Sequence, residues 1–256
     1  MIRTELLCNG TRRKEIQSYL KRAHSTKKHI PKTVELLTGW ANDSLKYRND
    51  NWNLLSSYTT PKIKGLSVLC GAGIKSAFRD FLTPQQDHRC CYCRRLLLNH
   101  GSAKPIEHIL PRQTFPQFSL YYWNLSICCA DCNRKKGDRI WGAFDSMKLS
   151  YPDPTEFVDF FHPRFHVYDS HVRFFRIETN GTAFSIYRGI TTQGKHLCSN
   201  LLKFISAKET LCCNNPALAP SLAKLDNFLV KAEDLNLTSF PHFVNLLNQV
   251  LEESIE

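Results

Sequence analysis

The sequence predicts an α+β protein with a small core braced by zinc and flanked by helical N- and C-terminal extensions. Three observations lead to this prediction: two Cys-x-x-Cys pairs at mid-chain, short strand signals near them, and helical periodicity on both sides. Two such pairs typically supply four thiolates to one tetrahedral zinc ion. We therefore divide the chain into a helical, basic N-terminal region (1–86), the core (87–142), and a C-terminal region with a hairpin and helices (143–256).

Composition indicates a basic protein with a partner rich in phosphate. The chain has 256 residues, 42% of them hydrophobic, which allows a sizeable core in one or two compact units. Its formal net charge of +11 is typical of nucleic-acid binders, although a merely basic soluble protein would share it. With no apolar start signal and no run able to span a bilayer, we expect a cytoplasmic protein without a membrane partner. Its eleven cysteines then indicate metal binding rather than disulfides.

The N-terminal region is expected to be helical over residues 11–23, 33–40 and 72–82. The first of these segments has an apolar stripe at helical spacing, formed by Ile16, Tyr19, Leu20 and Ala23. Its other face is basic, because residues 1–32 hold nine Lys or Arg. Such a face either contacts phosphate or is simply solvated.

The end of this region leads into the cysteines. Thr83-Pro84 is expected to stop the third helix, because proline lacks the N–H that would continue it. Trp40 and Trp52 are expected to be buried around the helices.

The predicted zinc ligands are Cys90, Cys93, Cys129 and Cys132. The alternative is a set of buried free thiols. Cys91 and Cys128 adjoin the pairs, but using either would break the x-x spacing, so we assign them to packing. The other cysteines are expected to be small buried hydrophobic residues.

Between the pairs, residues 105–110 are predicted to form a short strand that ends at Pro111. Glu107 and His108 are adjacent, so their side chains point to opposite faces and have different tasks. If the segment bends at the site, His108 would face an attacking water as a general base and Glu107 would reach a divalent metal. Residues 124–136 fit a loop that enters a helix ending at Gly137.

Beyond the core, residues 173–188 alternate around Asn180-Gly181, which predicts a β-hairpin. Further helices are predicted over residues 192–206, 221–233 and 239–254. The spacing of His162, His166 and His171 could indicate a second metal site, but we expect histidines hydrogen-bonded among aromatic residues.

Residues 88–139 resemble an HNH endonuclease, the zinc-braced form of the ββα-metal fold. The matching strings are Cys90-x-x-Cys93, Glu107-His108-Ile109-x-Pro111, Asn124-Leu125 and Cys129-x-x-Cys132-Asn133-x-x-Lys136-Gly137. The resemblance implies that His108 is the general base and that Asn124 braces the loop and the base. It also implies that Asn133 binds a catalytic Mg²⁺ or Mn²⁺, and that Glu107, where Asp is commoner, helps hold this ion.

Segments outside the core resemble longer prokaryotic HNH proteins, the PtuB-like nucleases of Septu anti-phage systems, including retron-linked versions. These segments are the opening Met-Ile-Arg, the Trp40 region, the helix running into Cys90, and Phe161-His162-Pro163-Arg164-Phe165. Such nucleases act beside an SMC- or ABC-like ATPase, so the resemblance implies an ATPase partner. Residues 221–256 carry two lysines against six acids and suit packing or a protein partner better than nucleic acid.

Together these features predict a metal-dependent endonuclease that hydrolyses DNA or RNA, as an effector in bacterial anti-phage defence. The expected phosphate contacts flank the site in sequence: Arg112, Arg134, Lys135, Lys136 and Arg139. One alternative is a catalytically inactive zinc-ribbon adaptor that binds nucleic acid, although such an adaptor has no need of His108 and Asn133. Another is a stand-alone restriction-type nuclease for modified DNA.

Overall fold

The structure is a computed structural model that describes residues 9–61, 68–97, 104–180 and 183–214. It has a mixed α+β architecture with two small antiparallel sheets. Packing divides the chain into two compact units, Met1–Ser170 and His171–Glu256. Within the described ranges, no helix is both long and apolar enough to cross a membrane.

Four helices build the N-terminal part of the first unit: α1 (Asn9–Leu20), α2 (Ile30–Tyr47), α3 (Trp52–Ser57) and α4 (Gly71–Gln85). The predicted helices are therefore present, but α2 is longer than expected, and α3 was not predicted. Pro84 does not end α4 where the sequence suggested, since it lies inside the last turn. The apolar stripe of α1 faces inward at Tyr19, which is buried.

The hydrophobic cluster of this part is centred on Leu55, Leu69 and Ile74. Trp40 and Trp52 pack against it. Both indoles are only half-buried, so the expectation that they are buried around the helices holds in part.

The middle of the unit has a strand–strand–helix order: β1 (Ile106–His108), β2 (Leu125–Ile127) and α5 (Ala130–Lys136). The strands pair antiparallel, with Glu107 opposite Ser126. Strand β1 and helix α5 were predicted, whereas β2 falls in a segment expected to be a loop. As expected, α5 ends at Gly137, whose φ of 51° suits glycine.

The side chain of Gln86 joins the end of α4 to β2. Its Oε1 accepts hydrogen bonds from the Ile127 N–H and the Ser126 hydroxyl, both at 3.0 Å. Its Nε2 donates to the Ile127 carbonyl at 2.8 Å. Because β2 pairs on one side only with β1, Gln86 satisfies backbone groups on the other edge of the strand.

An ion pair attaches α1 to the rest of the first unit. The guanidinium of Arg164 lies 2.5 Å from the Glu15 carboxylate and donates to the Leu125 carbonyl at 2.7 Å. The Tyr122 hydroxyl donates to the same carboxylate at 2.8 Å. The guanidinium of Arg164 also lies over the rings of Tyr122 and Trp123. This buried cation therefore has an ion pair, a hydrogen bond and two cation–π contacts to offset the cost of its burial.

The second unit contains the predicted hairpin and the first of the C-terminal helices. Its elements are β3 (Val172–Glu178), β4 (Ala183–Gly189), α7 (Thr192–Leu197), a π-helical turn (Cys198–Leu202) and α8 (Lys203–Asn214); α6 (Tyr168–His171) precedes β3. Strands β3 and β4 pair antiparallel, with Val172 opposite Gly189. Glycine is required at 194, because a Cβ there would lie 1.8 Å from the His171 carbonyl oxygen. The helices predicted over 221–233 and 239–254 lie outside the described residues.

Candidate zinc cluster and histidine site

The four cysteines predicted to bind zinc converge on one point. The Sγ atoms of Cys90, Cys93, Cys129 and Cys132 all lie within 4.8 Å of one another. Four sulfurs bound tetrahedrally at about 2.3 Å would lie roughly 3.8 Å apart, and the Cys93 and Cys129 Sγ atoms are 3.8 Å apart. The cluster is therefore compatible with a structural zinc ion, which these four thiolates would hold.

Local backbone geometry explains why the two pairs fold into one cluster. In the first knuckle, the Cys90 N–H donates to the Arg95 carbonyl at 2.9 Å, and the chain turns at Arg94, whose φ is 59°. In the second, Cys129 is the N-cap of α5 and its sulfur accepts from the Cys132 N–H at 3.5 Å. The Cys129 N–H reaches across to the Cys90 sulfur at 3.3 Å. Thiol hydrogen bonds from Cys132, Cys90 and Cys93 lower the pKa of Cys129.

Arg95 is a cluster residue that the sequence analysis missed. Its guanidinium donates to the Cys93 sulfur at 3.4 Å and to the Cys129 sulfur at 3.6 Å, and it pairs with Asp131 at 2.9 Å. A site of four thiolates and one Zn²⁺ carries a net negative charge, which this cation partly offsets. The sequence feature that could have identified Arg95 is its position two residues after Cys93.

The cysteines next to the pairs pack in the core, as predicted. Cys91 and Cys128 are both buried and lie outside the four-sulfur cluster. The Cys128 thiol lies 3.7 Å from the Oδ1 atom of Asn133, a half-buried residue on α5. By contrast, Cys70, Cys198, Cys212 and Cys213 are only partly buried.

Glu107 and His108 lie on opposite faces of β1. The Glu107 carboxylate is buried, 2.7 Å from the Lys136 ammonium and 3.3 Å from the Tyr92 hydroxyl. Burial raises the pKa of Glu107, although Lys136 and Tyr92 oppose that shift. In this arrangement the carboxylate is the partner of an internal cation.

Lys136 lies in the core and not on the surface, which corrects the expectation of a phosphate contact at this position. Its side chain is fully buried. Besides the ion pair with Glu107, the ammonium donates to the His108 carbonyl at 3.0 Å. Lys136 therefore fastens α5 to β1.

The ring of His108 is held in one tautomer. Its Nε2 lies 3.0 Å from the Ser119 carbonyl oxygen. Because a carbonyl can only accept, Nε2 carries the hydrogen, and in the neutral ring Nδ1 then carries the lone pair. Burial, assisted by the charges of Arg112, Lys136 and Lys75, lowers the pKa of His108 to about 3. The ring is thus neutral at physiological pH and able to accept a proton at Nδ1.

Cationic and aromatic side chains surround His108. The Trp52 ring meets it edge-to-face at 4.7 Å between centroids, and the Lys75 ammonium lies 4.3 Å from the Trp52 centroid. Arg112, a predicted phosphate contact, is half-buried, forms an ion pair with Asp50 and donates to the Asn53 side chain at 3.0 Å. Lys75 was not predicted, because it lies on α4, far from the cysteines in sequence.

Asn124 is the last residue of the loop between the two strands, directly before β2. Its side chain is fully buried. Its Oδ1 accepts from the Leu110 N–H at 2.7 Å, and its Nδ2 donates to the carbonyls of Leu110 at 3.0 Å and Phe118 at 3.1 Å. It therefore fixes the loop that includes Ser119, the residue bonded to His108.

The remaining expected phosphate contacts lie on or just beyond α5. Arg134 and Arg139 are exposed and Lys135 is half-buried. Among the predicted histidines, His162 is fully buried between Tyr151 and aromatic rings, with its Nε2 2.9 Å from the Tyr151 hydroxyl. Across the described part of the chain, the four cysteines form the group of His, Cys, Asp and Glu side chains suited to one ion.

These features define a mixed α+β protein with a four-cysteine cluster of the zinc-binding type and a half-buried histidine, His108, on strand β1. A stretch of 74 residues, 29% of the chain, is 32% identical to "Septu protein PtuB" from Bacillus thuringiensis. The similar stretch spans 27% of the length of that protein. No protein-family model matches the chain, and no solved structure matches it.

Proposed function

We propose that this protein is a metal-dependent endonuclease of the HNH type, which hydrolyses phosphodiester bonds in nucleic acid. The observation that carries the proposal is His108 on strand β1: its ring is neutral, and the Ser119 carbonyl fixes it as the Nε2–H tautomer. A histidine in this state can take a proton from water at Nδ1. The strand–strand–helix order of β1, β2 and α5 and the similarity to PtuB support the same assignment.

A catalytic divalent cation, Mg²⁺ or Mn²⁺, would be held by Asn133, with Glu107 as a second ligand. Such ions are commonly bound by one or two protein groups together with substrate phosphate and water, so a small donor set fits. The ion would stabilise negative charge on the scissile phosphate and the leaving oxygen. Coordination by Glu107 requires its ion pair with Lys136 to open.

The charges near His108 favour a phosphate-containing substrate. Arg112 and Lys75 both lie close enough to lower its pKa. A bound phosphate would neutralise part of this positive charge and so raise the pKa of His108, which makes it a stronger base when substrate is present. Exposed Arg134 and Arg139 would contribute contacts to the nucleic-acid backbone.

The biological role we propose is that of an effector in a Septu-related anti-phage defence system. The support is the partial similarity to a Septu protein. The resemblance to PtuB-like nucleases adds an SMC- or ABC-like ATPase as the proposed partner, in a Septu or retron-linked complex.

The test is cleavage of plasmid DNA, single-stranded DNA and RNA by the full chain, recovered with its native partners, with added Mg²⁺ or Mn²⁺. We expect His108→Ala to lower the cleavage rate about 10²–10⁴-fold without loss of zinc or of nucleic-acid binding. His88→Asn is the matched control, because His88 is exposed and asparagine tolerates its positive φ.

Full activity in the His108→Ala protein, or with the divalent ion chelated and zinc retained, would contradict the proposal. Tight binding of nucleic acid without cleavage of any substrate would instead support the adaptor alternative.

A further inference from the structure

The carboxamide of Asn124 uses its full hydrogen-bonding capacity. In addition to its three bonds with Leu110 and Phe118, its Oδ1 accepts from the Tyr151 hydroxyl at 3.1 Å. The orientation of the amide is unambiguous, because the Leu110 N–H can only donate and therefore faces Oδ1. The Tyr151 hydroxyl thus spends its single hydrogen on Asn124.

This arrangement fixes the direction of the next bond. His162 Nε2 lies 2.9 Å from the Tyr151 oxygen, which has already used its hydrogen, so Nε2 must be the donor. His162 Nδ1 then carries a lone pair, and it accepts from the Arg164 N–H at 3.3 Å. One tautomer satisfies both contacts, and the hydrogen bonds run in one direction from His162 through Tyr151 to Asn124.

The chain of bonds leads to the ring of His108. The Phe118 carbonyl accepts from Asn124, and the next residue, Ser119, supplies the carbonyl that holds His108 Nε2. At the other end of the loop, the Ile109 N–H donates to the Asn124 carbonyl at 2.9 Å. A rotated Asn124 amide would therefore displace the carbonyl that selects the tautomer of His108.

We propose that Tyr151 and His162 are positioning residues for His108. They keep the Asn124 carboxamide in one orientation and so hold the Ser119 carbonyl against Nε2 of the base. This inference rests on the proposed nuclease function for its effect on rate. Its structural part, the control of the His108 ring by Tyr151, is independent of any activity.

The variant that isolates this role is Tyr151→Phe. The Tyr151 ring stacks on Tyr121 at 4.6 Å and packs edge-to-face on Phe118 at 5.1 Å, so phenylalanine keeps the packing and removes only the hydroxyl. Tyr121→Phe is the matched control. Tyr121 stacks on Tyr151, and the hydroxyl that this change removes makes no hydrogen bond to a described residue.

Two measurements are made on the zinc-loaded full chain. Imidazole ¹⁵N NMR without substrate should show wild-type His108 and His162 as Nε2–H tautomers, and Tyr151→Phe should shift the His108 signals. In cleavage assays on the nucleic acid that the wild-type protein cleaves, Tyr151→Phe should lower kcat at least about 10-fold and leave KM unchanged. This is the result expected when a residue that positions a catalytic group is lost. Tyr121→Phe should match the wild type in both.

Several results would overturn the inference: His162 as the Nδ1–H tautomer, unchanged His108 signals and kcat in Tyr151→Phe, or equal losses in Tyr121→Phe. If Tyr151→Phe does not fold, the Tyr151→Phe/His162→Phe double variant replaces it. The double variant removes the Nε2–H that the single change leaves unpaired, and it loses only the longer 3.3 Å contact from the Arg164 N–H. A wild-type protein that cleaves no substrate would contradict the proposed function but not the structural part of the inference, because the NMR result does not depend on activity.

Discussion

Two histidines of the first unit, one half-buried and one fully buried, are kept neutral by different surroundings. His108 is half-buried on β1, with the cations Arg112, Lys136 and Lys75 nearby. His162 is fully buried, stacked on Phe165 at 4.0 Å between ring centroids. Burial lowers the pKa of His162 well below its usual value, and electrostatic interactions with His166 and Arg164 lower it further. In both rings, neutrality is what permits an N–H donor on one side and an acceptor on the other.

The depressed pKa of His162 predicts a loss of stability in acid. Below about pH 6.5 the unfolded chain binds a proton at this residue that the native protein does not, so its contribution falls as pH drops. The contribution should be about 1.4 kcal/mol smaller at pH 5.5 than at pH 7.5. The measurement is the free energy of unfolding in urea at both pH values for wild type and His162→Gln. Because other histidines also titrate, the difference between the two proteins is compared, and an identical pH dependence in both would contradict the assignment.

At the scale of elements, the Gln86 side chain hydrogen-bonds the end of α4 to β2. Gln86→Ala leaves the buried Ile127 N–H without its partner. It also removes one of two hydrogen bonds at the Ile127 carbonyl, which still accepts from the Cys91 N–H at 3.1 Å, and the bond from the Ser126 hydroxyl. We expect a loss of about 1–3 kcal/mol in the free energy of unfolding, the usual range for a buried polar group left unsatisfied. Gln85→Ala is the control, because Gln85 donates only to Phe81 within its own helix and should cost under about 1 kcal/mol. Equal effects of the two changes would show that Gln86 does not join the elements.

The cysteine cluster connects the first knuckle to the start of α5, so its metal is expected to stabilise the fold directly. Purified protein should contain zinc that resists mild chelation. Cys129→Ser should lose this zinc and the near-UV circular dichroism of the core. Cys128→Ser, at the adjacent buried cysteine outside the cluster, should retain zinc. Folded wild-type protein without zinc, or zinc loss in Cys128→Ser alone, would contradict the assignment of the four ligands.

At the scale of the whole molecule, the sequence predicted those features that depend on residues close together in the chain. Cysteine spacing identified the cluster, and Asn180-Gly181 located the β3–β4 hairpin. The position of Lys136 could not be predicted, because its burial depends on pairing with Glu107 across the core. Strand β2 was missed for a similar reason: three residues have too short a pattern, and their strand conformation depends on pairing with β1 and Gln86. The roles of Glu107, His108 and Asn133 in catalysis stay predictions.

The distribution of charge along the chain predicts a protein partner. The chain carries a net charge of +11, yet residues 221–256 hold six acids against two lysines. Such a segment repels nucleic acid and suits a different surface, which we assign to the proposed ATPase. Natively expressed protein should elute as a larger assembly containing an ATPase, and deletion of residues 221–256 should release a smaller, zinc-loaded protein. A variant in which only the six acids become Asn or Gln separates the effect of charge from that of apolar contact. If charge contributes, this variant should form a weaker assembly, and salt should affect that assembly less than it affects the wild-type assembly. A lone monomer that is fully active without any co-purifying ATPase would refute the partner.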